Sequence, residues 1–230
     1  MLSSPTPRSV FPMLSTDRET PTAKQVRLLD AYAAMARDGY ATADGRRVEA
    51  AYDDMEIRAF KWPVKALIER HGIRTLLDYG SGGSDYEAPT FHEGRSARDF
   101  FGLAAVHRYE PARGIDERQP CDAVVCFDVL EHVFLADVPR TVRDLFASAR
   151  TLLMVNVACY PARALLPNGE NAHVTVRPPQ WWKGLFDTIA CEHPDVTVQL
   201  WCSTAWRNVH SWPPVAARDW LSRDGFTIAL

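Results

Sequence analysis

The sequence predicts an α/β fold in which helices cover both faces of a mostly parallel sheet. Short apolar segments alternate along the chain with segments whose apolar residues recur at helical spacing. Continuous apolar strands are typical of parallel sheets, because the connecting helices bury both faces. The chain has 230 residues, of which 47% are hydrophobic, and this suffices for one domain with a sizeable core.

The predicted core strands are short and apolar, and polar or glycine residues follow them. The four clearest are RTLLDYG (74–80), GLAAVHRYE (102–110), CDAVVCFDV (121–129) and TLLMVNVA (151–158). Further strands are expected near 195–202 and 225–230. Ligands of parallel sheets bind at the carboxyl ends of the strands, so the residues that follow each strand are the expected site.

The N-terminal part of the chain is predicted to be helical in two segments. The first begins near residue 24 and ends at Asp38-Gly39. Its apolar residues at helical spacing are Val26, Leu29, Tyr32, Ala33 and Ala36. The second covers about 48–71, where Pro63 should kink or restart the helix. Residues 23–71 are therefore expected to form an N-terminal helical part of the domain.

Two more helices are predicted in the alternating part of the chain. One covers about 137–149 with Asp137 as its cap, and the other lies near 180–190. Residues 158–180 contain four prolines and form a connection of a length typical of lids and substrate loops. Residues 1–22 are rich in Ser, Thr and Pro, so we expect a flexible tail before a single domain of residues 23–230.

Composition excludes several classes of protein. The net charge is −3 and the basic residues are scattered, which is unlike a nucleic-acid-binding surface. No apolar segment approaches the roughly 20 residues that span a bilayer. The five cysteines form no CxxC pair, which favours reduced thiols in a cytoplasmic protein. The oligomeric state cannot be predicted from these features.

The first predicted strand leads into a glycine-rich loop, LLDYGSGGSDY (76–86). A phosphate-binding Walker loop requires a lysine that is absent here. The dinucleotide fingerprint GxGxxG is broken, because Asp85 stands where its third glycine belongs. An acidic residue, Asp78, precedes the glycines instead. This disfavours both the phosphate-binding and the NAD-binding interpretations.

An acidic residue, one hydrophobic residue and then GxG is a pattern that resembles the class I S-adenosylmethionine-dependent methyltransferases. The segment FDVLEH (127–132) is similar to the fourth-strand segment of that family, and Glu110 ends the strand between the two motifs. The resemblance covers about residues 73–157. It implies a Rossmann-like, mostly parallel seven-stranded sheet and S-adenosylmethionine as cofactor. Ser84 departs from the pattern, since the family often has glycine at this place.

The resemblance also assigns cofactor-binding residues. The glycine loop would approach the methionyl and ribose parts, and Glu110 would accept hydrogen bonds from the ribose hydroxyls. The cofactor-binding set so implied is Asp78, Gly80, Ser81, Gly82, Glu110, Asp128, Val129 and Leu130. A carboxylate at position 78 suits a cofactor that carries positive charge.

A looser resemblance concerns the acceptor. The segments LPNGENAHVT (166–175) and WW (181–182) are similar to a bacterial subset of these enzymes that is associated with sugar or polysaccharide modification. This implies O-methylation of a hydroxyl on a sugar, a polysaccharide end or another small polar acceptor. A histidine could serve as general base. The candidate bases are His132 and His173, and the candidate acceptor contacts are Tyr86, Asn168, Asn171 and Trp182.

Two alternatives remain open at this point. The chain could be a catalytically inactive protein of the same fold that acts as a binding or scaffold subunit, which Ser84 and the long segment before Glu110 allow. A metal could also bind, since carboxylates and imidazoles follow the third clear strand. The possible ligands would be Asp128, Glu131, His132 and His173, but no spacing requires a metal and none is expected.

Overall fold

The computed structural model describes residues 20–49, 54–205 and 208–216. Two predictions fall wholly or mainly outside these ranges: the strand near 225–230 and most of the tail 1–22. The last residues of the predicted tail are described, and Thr22 is anchored there. Its backbone N–H and its hydroxyl donate to the two carboxylate oxygens of Asp137, at 2.9 Å and 2.6 Å.

The described residues form an α/β fold with a seven-stranded, mostly parallel sheet, as predicted. The strands are β1 (Tyr40–Ala41), β2 (Arg47–Val48), β3 (Thr75–Tyr79), β4 (Ala105–Glu110), β5 (Ile115–Asp116), β6 (Cys121–Phe127), β7 (Ala149–Ala158), β8 (Thr197–Ala205) and β9 (Asn208–Ala216). The large sheet has the order β5-β4-β3-β6-β7-β8-β9, while β1 and β2 form a separate small ribbon. The five central strands are parallel, and β5 and β9 join the edges in antiparallel orientation.

The edge strand β9 is not predicted by the sequence pattern. Its sequence, NVHSWPPVA, contains Pro213 and Pro214, which lack the N–H groups that a central strand needs. Among the described strands, β9 pairs only with β8, and their register shifts between Val198 and Leu200, opposite the two prolines; proline is tolerated at edges and at bulges.

The helices are α1 (Ala23–Asp38), α2 (Met55–Ala59), α3 (Lys61–His71), α4 (Ala97–Phe101), α5 (Val138–Ser148) and α6 (Pro179–Ala190). The helical segment predicted for 48–71 is wrong in its start, because Val48 belongs to β2. The segment is interrupted at Phe60 and restarts at Lys61, close to the break that Pro63 predicted. Pro63 lies in the first turn of α3, where its missing N–H costs no helical hydrogen bond.

The buried face of α1 differs from the predicted one. The buried residues are Gln25, Leu28, Tyr32 and Met35, whereas Val26 is 44% exposed. The polar Gln25 belongs to the buried stripe because its side-chain oxygen accepts a hydrogen bond from the backbone of Phe134, at 2.8 Å. Hydrophobicity alone could not identify this face, since one of its members is buried for a hydrogen bond.

Two apolar layers enclose the sheet. Alternate residues of the central strands point to opposite faces: Leu77 and Val124 belong to one cluster, while Leu76 and Ala123 belong to the other. Helices α5 and α6 cover the first face, and α3 and α4 cover the second. The helices therefore hold the ends of β3, β4 and β6 in fixed positions relative to one another.

A third cluster joins α1 to the loop that follows β7. Leu28, Tyr32 and Met35 of α1 pack with Leu166 and Ala172 of this loop. Residues 159–178 contain neither a helix nor a strand, and two isolated bridges pair parts of the loop with Thr42 and with each other. The N-terminal helix and the long loop thus form one packed layer over the domain.

Candidate active site

A cavity of about 640 Å³ opens at the carboxyl ends of β3, β4 and β6. Its size is in the range of about 300–1,000 Å³ that is typical of small-molecule and cofactor sites. Its walls include eight of the site residues that the sequence predicted: Asp78, Gly80, Ser81, Gly82, Glu110, Asp128, Val129 and His132. The sheet topology brings these residues together although they are far apart in the sequence.

The glycine loop turns sharply where β3 ends. Gly80 has φ +83°, a left-handed conformation that glycine adopts without strain. A Cβ atom at this position would lie 2.2 Å from Cγ2 of Val129, so the close approach of the two loops also requires glycine. The Gly80 N–H donates to the carbonyl of Tyr109 at 2.7 Å, which ties the loop to β4. Ser81 is buried against this turn.

Glu110 bridges the ends of β3 and β4. Its Oε2 accepts from the backbone N–H of Gly82 at 2.8 Å, and its Oε1 accepts from the N–H of Ala112 at 3.1 Å. Burial raises the pKa of Glu110, and these two backbone donors lower it. Each oxygen keeps a second lone pair, so the carboxylate can accept further hydrogen bonds from a ligand.

Asp78 is buried at the floor of the cavity, 7% exposed. The Tyr86 hydroxyl donates to its Oδ2 at 2.9 Å. Burial raises the pKa of Asp78 to about 7, while the Tyr86 hydrogen bond opposes this rise and the charge of Glu110 adds to it. Tyr86, predicted as an acceptor contact, is buried with its hydroxyl on Asp78, so it positions this carboxyl.

The segment after β6 makes a second turn beside the glycine loop. Asp128 has φ +53° and accepts a hydrogen bond from the side-chain amide of Asn156. Burial and the nearby carboxyl of Glu56 raise the pKa of Asp128 to about 8. Leu130, predicted as a cofactor contact, is instead fully buried in the core under α5.

His132 and His173 lie side by side, with their ring centroids 4.8 Å apart and their planes at 85°. His132 lines the cavity, and its Nδ1 contacts the Tyr32 hydroxyl at 2.9 Å and the Ala172 carbonyl at 3.0 Å. Burial and, secondarily, the neighbouring His173 lower the pKa of His132 to about 3. Burial also lowers the pKa of His173, whose Nδ1 is bonded to the carbonyl of Tyr160. Both rings are therefore neutral at physiological pH.

Three predicted acceptor contacts lie elsewhere. Asn168 is exposed and bonds to Glu170, and the Asn171 amide bonds both ways to the backbone of Ala162, so these side chains build the loop. Trp182 is fully buried among core residues. Its indole N–H has no hydrogen-bond partner among the residues that the structure describes. The polar composition of the loop and its tryptophan pair predict acceptor recognition, whereas in the structure these three side chains serve folding.

Sequence reasoning missed the walls that the N-terminal part supplies. Gln25 and Leu29 of α1 and Met55 and Glu56 of α2 line the cavity. Gln25 gives no signal in the sequence, since it is a polar residue at the start of the buried stripe and lies outside the predicted apolar face. Glu56 lies on a helix whose pattern gives no hint that its carboxyl approaches Asp128.

Two findings bear on the class of protein. Within residues 20–49, 54–205 and 208–216, no helix has both the length and the apolar character needed to cross a membrane. Comparisons of the chain with protein-family models, curated proteins and solved structures find no match.

Proposed function

We propose that the chain is an S-adenosylmethionine-dependent methyltransferase. The observation that carries this proposal is the convergence of Asp78, Gly82 and Glu110 on one cavity, with Glu110 bonded to the glycine loop. An acidic, glycine-rich cleft at the ends of parallel strands suits a cofactor that has a nucleoside and a positive charge. The absence of a lysine in the loop is consistent with a ligand that lacks phosphate groups.

The residues of the cavity fit the parts of this cofactor. Glu110 can accept hydrogen bonds from vicinal ribose hydroxyls, since its oxygens keep free lone pairs. Asp78, at the floor beside the glycine turn, can accept from the ammonium group of the methionyl part. The methyl group on the sulfonium is the chemistry that the cofactor supplies.

We further propose that the acceptor is a hydroxyl of a sugar or a related small polar molecule. The Glu56 and Asp128 carboxyls line the same cavity, and such groups can bind neighbouring hydroxyls of one acceptor. In the proposed reaction, the acceptor oxygen would take the methyl group, the electron pair of the carbon–sulfur bond would stay on the sulfur, and the hydroxyl proton would pass to one of these two carboxylates. The protein aligns the two reactants and excludes water. His132 lines the cavity and is the imidazole proposed to contact the acceptor hydroxyl.

The cofactor half of the proposal is tested by calorimetry with S-adenosylhomocysteine. We expect the wild-type chain to bind it and Glu110→Gln to bind it about 10- to 100-fold more weakly, because a hydrogen bond to a charged group is worth about 1.5–3 kcal/mol. Glu192→Gln is the matched control, since Glu192 is an exposed carboxylate that pairs with Arg143 on the surface. Failure of the wild-type chain to bind would refute the proposal.

A further inference from the structure

We infer that Glu131, His132 and His173 form a binding site for one divalent transition-metal ion. One nitrogen from each histidine and one oxygen of Glu131 lie within 4.8 Å of one another. Two imidazoles and one carboxylate are a ligand set that such ions prefer. This inference goes beyond the proposed methyl transfer and does not depend on it. With an ion bound, the acceptor hydroxyl would meet the open position of the ion and not the ring nitrogen of His132.

The strongest observation is that one oxygen of the buried Glu131 carboxylate lacks a hydrogen-bond partner among the described residues. Its side chain is completely buried, with 0% exposure, and its Oε1 accepts from the backbone N–H of Ala158 at 2.8 Å. Its other oxygen, Oε2, is buried and has no hydrogen-bond partner in the described part of the chain. A buried oxygen without a partner is destabilising, because it has lost its hydrogen bonds to water and gained none from the protein. A metal ion bound at Oε2 would remove this cost.

The hydrogen bonds of the two rings leave one nitrogen available on each. His173 Nδ1 faces the carbonyl oxygen of Tyr160, which only accepts, so Nδ1 carries the proton. Tyr32 donates its hydroxyl hydrogen to Ala172, so His132 Nδ1 must also be a donor, either to the Tyr32 oxygen or to the Ala172 carbonyl. In a neutral ring, the lone pair then lies on Nε2, where it can bind a metal.

Metal-binding histidines usually make such hydrogen bonds with the ring nitrogen that does not bind the metal, and we call these bonds outer contacts. A ligating imidazole almost always donates its second N–H to a carbonyl or a carboxylate, which fixes the orientation of the ring. Here the carbonyls of Tyr160 and Ala172 and the hydroxyl of Tyr32 serve this purpose. Glu131 and His132 lie in the short 3₁₀ helix after β6, and His173 comes from the long loop, so distant parts of the chain converge here.

The ligand set indicates which ions would bind, and the cavity offers a route by which an ion could reach the site. Nitrogen ligands favour Zn²⁺, Co²⁺, Ni²⁺ or Fe²⁺ over Mg²⁺ and Ca²⁺, which prefer oxygen. Three protein ligands leave at least one coordination position for water or another oxygen ligand. His132 lines the cavity, so the ion can enter from there.

The test uses the full chain without an affinity tag, freed of metal by a chelator and then titrated with Co²⁺ alone. We expect one equivalent to bind, with d–d absorption bands of a site of low coordination number. Glu131→Gln, His132→Ala and His173→Ala should each weaken binding by more than about 100-fold, the upper end of the loss seen for outer contacts. Tyr32→Phe, which removes one outer contact, should weaken binding by about 10-fold.

His107→Ala is the matched control, because this histidine lies on β4 and bonds to Gln119. The control should bind Co²⁺ as the wild-type chain does. If the wild-type chain takes up no Co²⁺, or if Glu131→Gln and His173→Ala both bind as tightly as the control, the inference is wrong. If a variant fails to fold, the Co²⁺ titration of the wild-type chain alone still tests the inference. No cofactor is present, so this outcome is independent of S-adenosylhomocysteine binding.

Discussion

Replacing Asp78 by asparagine should change how the stability of the chain depends on pH. The pKa of Asp78 is about 7 in the folded chain and 3.8 as the usual value in an unfolded one. The folded chain therefore holds the proton more tightly, and the free energy of unfolding falls as the pH rises from 4 to 7. Above about pH 8 the loss is complete, because the carboxyl is then ionised in both states.

The magnitude follows from the difference between the two values. At 1.36 kcal/mol for each pKa unit, a change from 3.8 to about 7 amounts to about 4 kcal/mol. The asparagine side chain would keep an oxygen that accepts from Tyr86 but could not ionise. Asp78→Asn should therefore gain stability relative to the wild-type chain as the pH rises, by up to about 4 kcal/mol between about pH 4 and pH 8.

The assay is urea unfolding of both chains, without added cofactor, at several pH values from about 4 to 8.5. Taking the difference between the chains cancels the titration of groups that they share. Tyr86→Phe is a second probe: it removes the hydrogen bond that lowers the pKa of Asp78, so the pH-dependent loss should extend to higher pH. A difference between wild type and Asp78→Asn that is the same at both ends of this pH range would refute the reasoning.

Three further outcomes are expected. Gly80→Ala should destabilise the chain by about 1–3 kcal/mol in thermal unfolding. Adding Val129→Ala should recover only the part of this loss that is due to the 2.2 Å contact, since φ at position 80 stays positive. Full recovery would show that the positive φ contributes nothing to the loss. Thr22→Ala should lower the free energy of unfolding by about 1–2 kcal/mol, because the cap of α1 and the side-chain bond to Asp137 are both lost. Thr22→Ser should restore most of this stability. An unchanged midpoint of thermal unfolding in Thr22→Ala would contradict this. If the methionyl ammonium binds Asp78, binding of S-adenosylhomocysteine near neutral pH should release protons, seen as a binding enthalpy that varies with the ionisation enthalpy of the buffer.

The fold class and half of the candidate site could be predicted because they follow from local patterns. The strands β3, β6 and β7 are apolar segments, and β4 is a more polar one that ends at Glu110. Parallel topology then places the ends of these strands together. The positions of Asp78, Glu110 and His132 in one cavity follow from this rule.

The other half depends on contacts that no local pattern encodes. The burial of Trp182 is set by the packing of α6 on the sheet, and the apolar side chain looks the same in a core or in a pocket. The buried stripe of α1 includes Gln25 for the sake of one long-range hydrogen bond. Glu131 and His173 meet only because the long loop returns to the end of β6, where Thr175 N–H bonds to the Glu131 carbonyl.

The Tyr32 hydroxyl joins three distant parts of the chain, and this has a consequence for the order of folding. Its bonds reach His132, 100 residues away, and Ala172, 140 residues away. Contacts of such long sequence separation form late, since the intervening chain must first be brought together. During synthesis, α1 leaves the ribosome before the loop that carries Ala172, so the bond from Tyr32 cannot form until that loop has emerged. The pair His132–His173 therefore acquires its final geometry only after most of the sheet has been made.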